Sequence, residues 1–261
     1  MSRLNPASGN EEEGRRLIEA GFSDVLVETA SRCTSWILWH VGVGAAEREI
    51  VNNGTVFFVD VGQGAFGVTA AHVIAGLEHA KLCHSDLICQ VGNCLLDPSQ
   101  RLIGRDDSVD IAVFRVTTSE MLEIGVDPHV APAPWPPPAP QEGKGGFFGG
   151  YLSPSQKRFR FEDTQDWSYQ YGFGPITGVF DQQLTVRFQR DCWVDRPAHP
   201  SPPPGTAWGG LSGGPLFALF EDAVVYWRLV GVISEFPSSP DIELMVAKPA
   251  GRIRQDGSIS A

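Results

Sequence analysis

The chain reads as an all-β protein built from antiparallel sheets in two roughly equal halves. Three observations carry that expectation. Short segments rich in β-branched and aromatic residues recur along the chain, each bounded by Gly, Pro, Asn or Asp. So little helical pattern lies between them that a parallel α/β sheet, which needs a crossover helix between strands, is disfavoured. A Pro-rich stretch, "DPHVAPAPWPPPAPQEGKGG", interrupts the strand pattern near the middle, where prolines exclude regular ladders, and a second proline run, "RPAHPSPPPGT", lies at residues 196–206.

Residues 1–29 are expected to form an N-terminal helical extension. Asn10 can cap "EEEGRRLIEAG", with acids in the first turn and Gly21 just past the end. The first β-rich half, residues 30–127, holds the strand candidates "TSWILWHVG", "REIVNNGTVFFVDV", "AFGVTAAHVI" and "DIAVFRVT". Residues 128–144 form the linker, and 145–261 the second half, with "GGFFGGYL", "QKRFRFED", "LTVRFQRDCWV" and "VVYWRLVGVI". No sequence repeat relates the halves. "GQGAFG" fits G-x-G-x-x-G, yet no βαβ unit follows it, so a hairpin turn is the expected reading rather than a dinucleotide site.

Composition narrows the function classes. The 261 residues are 42% hydrophobic, enough for a substantial core, and 31 acidic against 20 basic side chains give a formal charge of -11. That balance argues against a protein that tracks nucleic-acid phosphates or an anionic membrane surface. The polar start and the lack of a long apolar run lead us to expect a soluble, cytoplasmic protein. Cys33, Cys83, Cys89, Cys94 and Cys192 are odd in number and unevenly spaced, which suits reduced thiols. His79 and His84 crowd three of them, but no C-x-x-C pair appears, so no metal and no cofactor is expected.

The stretch "WGGLSGGPLFALF", residues 208–220, sets one serine, Ser212, among four glycines. Such a cluster is either a tight turn or the collar of an activated nucleophile, whose backbone N–H groups must point inward. A nucleophilic serine needs a base, and the base an orienting acid. His72 ends an apolar strand among small residues, where a helical turn begins; Asp110 opens a strongly apolar strand, where a carboxylate needs a specific partner. Asp106 and Asp107 read as solvated turn acids. "GLSGG" also fits the nucleophile elbow of α/β-hydrolases, but that arrangement needs a histidine after the serine, and the last one here is His199.

The blocks "GVTAAHVI", "DIAVF" and "GGLSGGPL", with "NNGTVFFVD" ahead of them, resemble the signature segments of trypsin-like, chymotrypsin-fold serine proteases, particularly the bacterial kind. The resemblance implies two six-stranded antiparallel β-barrels with the active site in the crevice between them. It implies Ser212 as nucleophile, His72 as general base and then acid, Asp110 as orienting carboxylate, and the N–H groups of Gly210 and Ser212 as oxyanion hole. "LVGVISEF" resembles the strand that pairs with substrate, with Ser234 near Asp110. Leu211 stands where animal digestive members carry an acid, so activation by a newly cut N-terminus is not expected; if the enzyme is regulated, the means are expected elsewhere, in the helical N-terminal segment or a protein partner. Thr206, at the base of the specificity pocket, is uncharged, and Phe236 stands where deep-pocket members keep glycine. The implied substrate is a protein or peptide with a small or medium uncharged side chain before the cut, not Arg or Lys, and neither nucleic acid nor membrane is an expected partner. Two readings of other kinds stay open: a catalytically silent peptide-binding module on the same scaffold, and an esterase-type hydrolase.

Overall fold

A computed structural model describes residues 16, 21–42, 47–153, 158–160, 168–188, 208–239 and 242–260. The first half supplies β1 (Thr34–Gly42), β2 (Glu47–Asp60), β3 (Ala65–Thr69), β4 (Ile88–Val91), β5 (Leu102–Asp106) and β6 (Ile111–Arg115). These pair antiparallel in the spatial order β4-β1-β2-β3-β6-β5. Further along come β7 (His129–Val130), β8 (Gly145–Tyr151), β9 (Arg158–Arg160), β10 (Tyr169–Val179), β11 (Leu184–Phe188), β12 (Pro215–Glu221), β13 (Val225–Glu235), β14 (Ser238–Ser239) and β15 (Ile242–Pro249).

The C-terminal sheet closes on itself. Its order is β11-β10-β8-β12-β13-β15, with β15 returning to pair with β11, so six antiparallel strands form a barrel and leave β14 as a spur. The N-terminal sheet does not close, and the expectation of two barrels is corrected there. Among the described residues β4 and β5 share no ladder, and the sheet is extended instead at β2, by β7 in parallel and β9 in antiparallel pairing. A helix takes part of the work of burial that a closing ladder would do. Val73, Leu77 and Ala80 of that helix join Cys89 and Val91 of β4 and Phe114 of β6 in one apolar cluster.

Among the described residues the sheets are accompanied by α1 (Phe22–Arg32), α2 (Ala71–Cys83), just mentioned, and α3 (Thr118–Ile124). The segment capped by Asn10 lies outside the described residues except for Arg16. Gly21, expected just past the end of that segment, is the residue before α1, with φ of 85°. A left-handed glycine serves either terminus, so the sequence alone could not orient it. "GQGAFG" is the β2–β3 turn: Gly62 and Gly64 have φ of 105° and 100°, and both N–H groups donate to Asp60 Oδ1. No described helix is long and apolar enough to cross a membrane.

The main core ignores the boundary between the halves. Phe57, Val59, Val68, Ile111 and Val113 of the first pack with Phe147, Phe217, Leu229 and Val232 of the second, and Leu26 and Ala30 of α1 join them. The linker is tied down as well, since Trp135 packs against this cluster and its Nε1–H donates to Ile253 O at 2.7 Å.

Candidate active site

His72 is the second residue of α2, and Asp110 directly precedes β6. Helix α2 begins after Ala70, which has no side chain able to cap it. The first N–H groups of a helix lack intrahelical acceptors, and the helix dipole favours negative charge beside them. Asp110 meets that need, accepting from the His72 backbone N–H at 2.9 Å through Oδ1. The same carboxylate faces the imidazole, with both oxygens 3.0 Å from His72 Nδ1. Backbone and ring are held by one group, so the ring presents Nδ1 to Asp110 and turns Nε2 away from it.

Ser234, on β13, is buried and donates to Asp110 Oδ2 at 2.5 Å. Burial by itself would raise the Asp110 pKa, but hydrogen bonds from the His72 ring, the Ser234 hydroxyl and the His72 N–H outweigh it and hold the carboxyl below its ordinary range. The His72 side chain is 51% exposed and that of Asp110 only 17%, so a ligand reaches the imidazole while the charge that orients it stays shielded.

Ser212 sits in a turn between Trp208 and β12. Its hydroxyl donates to Ser234 O at 3.0 Å, and it shares no hydrogen bond with His72 in this conformation. The family resemblance implies the hydroxyl on the imidazole. A serine hydroxyl can change partner by rotating about χ1.

The glycines around Ser212 are required by geometry. Gly213 has φ of 93°, and a Cβ on it would lie 2.1 Å from Thr55 O and 2.2 Å from Thr69 Oγ1. Gly210 has φ of 98°, and its Cβ would fall 2.6 Å from both Tyr151 O and Asn53 Nδ2. Leu211 between them is wholly buried, in the cluster that includes Trp208, Phe148 and Ile233.

Phe236 stacks on Trp208, with ring centroids 5.6 Å apart and planes 18° from parallel, and meets Phe148 at 6.0 Å. Thr206, Cys192 and His199 lie outside the described residues. Asp106 accepts from the N–H groups of Ser108 and Val109, and Asp107 pairs with Arg105, as turn acids do. No group of three or more His, Cys, Asp or Glu that could hold a metal ion occurs among the described residues.

Sequence reasoning missed the support behind Ser212, which β2 provides. Thr55 and Asn53 lie in "NNGTVFFVD", but nothing local reveals that they face a loop about 155 positions away. No family model and no curated protein matches the chain. Among solved structures it is similar to Deg5, at 17% identity and TM-score 0.46, covering 95% of this chain and 92% of that one. It is similar also to the thermostable serine protease AL20 from an extremophilic microorganism, at 11% identity and TM-score 0.43, covering 85% of this chain and 92% of the other.

Proposed function

We propose that the protein is a serine endopeptidase that cleaves peptide bonds through an acyl-enzyme on Ser212. The observation that carries this reading is the hydrogen-bonded chain Ser234–Asp110–His72 beside a serine held in a glycine collar. With Nδ1–H donating to Asp110, Nε2 has its lone pair available as a base. Rotation of Ser212 about χ1 brings the hydroxyl to it. The hydroxyl proton passes to Nε2 while Oγ bonds to the substrate carbonyl carbon, and the resulting oxyanion takes hydrogen bonds from the N–H groups of Gly210 and Ser212. The imidazolium then protonates the leaving amine as the C–N bond breaks. Water repeats the sequence on the ester, Nε2 taking its proton, and frees the acid and Ser212.

A fluorophosphonate probe with mass mapping tests the nucleophile without knowledge of the substrate. Ser212 is expected to carry the adduct, and His72→Ala to reduce labelling strongly. Labelling at another serine, or equal labelling in the variant, would overturn the mechanism. A wild-type protein that resists the probe is the silent binding module, and one that turns over p-nitrophenyl acetate but no peptide is the esterase.

A further inference from the structure

We propose that Thr55 is a positioning residue for the oxyanion hole: from the opposite sheet it fixes the peptide that joins the two donating N–H groups. This rests on the serine-hydrolase reading of Ser212 above and adds a residue to it.

The donors belong to two peptide planes, Gly209–Gly210 and Leu211–Ser212, separated by the Gly210–Leu211 plane. In a trans peptide the C=O and N–H point in opposite directions, so pinning the carbonyl aims the N–H. Gly209 O accepts from Ser153 N at 2.9 Å, and Leu211 O from Gly214 N at 2.9 Å. Both donor planes are therefore held by backbone. The plane between them sets their mutual angle, and it is held by a side chain: Thr55 Oγ1 donates to Gly210 O at 2.6 Å.

Thr55 is fully buried and its polar atoms are all engaged at this seam. Its N–H donates to Ser212 O at 2.9 Å. Its hydroxyl also accepts from Tyr151 N at 2.9 Å, which leaves its proton for Gly210 O. Its carbonyl accepts from Thr69 Oγ1 at 2.7 Å. Gly210, at φ of 98°, has little backbone preference of its own to hold the loop in shape. Without the hydroxyl, the Gly210 carbonyl and the Tyr151 N–H would both be left buried without this partner, and turning the Gly210–Leu211 peptide toward another donor would swing the flanking N–H groups apart.

The test uses the full chain and the fluorophosphonate rate at Ser212, since the phosphoryl oxygen of the probe takes the place of the oxyanion. Thr55→Val, which replaces the hydroxyl by a methyl of similar shape, is expected to slow labelling about 10- to 100-fold. Thr55→Ser, which restores the hydroxyl, should recover the rate to within about threefold of wild type, by the same donor count. Equal rates in folded Thr55→Val and wild type would overturn the proposal, as would a Thr55→Ser variant that stays as slow as Thr55→Val. If Thr55→Val does not fold, Thr55→Ser and Thr55→Ala decide, and equal rates in these two would overturn it. A wild-type protein unlabelled at Ser212 would instead sink the serine-hydrolase reading itself.

Discussion

Asp110 is the one non-glycine residue with positive φ among the described residues, at 58°. Aspartate and asparagine tolerate this left-handed region better than most side chains. Asp110→Asn therefore removes the charge without adding backbone strain. An asparagine donates from Nδ2 where the carboxylate accepted, which favours the imidazole tautomer with its proton on Nε2, the wrong nitrogen for a base. The expected outcome is a fluorophosphonate rate lowered about 10³- to 10⁴-fold in a protein with a native-like circular dichroism spectrum. A fall of less than tenfold would show that the carboxylate is not needed to orient the ring. The place of Asp110 could be read from the sequence because a carboxylate at the mouth of an apolar strand needs a partner. Its backbone conformation could not, and neither could the role of Thr55, whose hydroxyl partners, Gly210 and Tyr151, lie 155 and 96 positions away.

At the level of strands, β1, β2, β3, β6, β8 and β13 follow the β-branched and aromatic runs that announce them, whereas β10 does not. Its sequence YQYGFGPITGV carries three glycines and a proline, a composition that signals a turn. The glycines are there for packing: a Cβ on Gly172 would lie 2.4 Å from Phe148 Cζ, and one on Gly174 would lie 2.1 Å from Arg187 O. Close approach of a ring and of a neighbouring chain has no local signature. The same ring belongs to the wall formed by Phe148, Phe236 and Trp208, at the ends of the segments that carry Ser212 and Ser234. We expect this stacked wall to restrict the side chain accepted before the cut bond to small or medium uncharged types. A cation would need a buried carboxylate to replace its lost water, and the residue that the family resemblance implies for the pocket base, Thr206, is uncharged. A peptide-library profile tests this, and Phe236→Ala should broaden it toward larger apolar residues. Dominance of Arg or Lys in the wild-type profile would refute the expectation.

For the molecule as a whole, stability should depend on two histidines, the buried His40 and the half-buried His129. Burial, with Arg228 adding repulsion, lowers the His129 pKa from 6.5 to about 4, and burial with Arg48 lowers that of His40 as well. Both therefore bind protons more readily in the unfolded chain. Their contribution is complete above pH 6.5 and weakens as the pH falls below it, for His129 through about 4. For His129 alone the loss is about 2–3 kcal/mol. Denaturant melts at pH 7 and 4.5 should show it, and His129→Gln should flatten the slope whatever it does to absolute stability; an unchanged slope would assign the effect elsewhere. His129 packs edge-on against Phe217, so this titration sits at the core shared by both halves. The end of the chain crosses the same boundary: a Cβ on Gly257 would meet Ile103 at 3.0 Å and Val113 at 3.3 Å, and one on Gly104 would meet Ile259 at 3.3 Å. In evolutionary terms the halves are not exchangeable parts. A recombination event with its breakpoint in the linker would bring in a second half whose Phe147, Phe217 and tail had never been selected against this Phe57 and Val113. Lineages carrying this fold should diverge by paired substitutions across the seam, and a chimera would recover its stability only when the seam residues travel together.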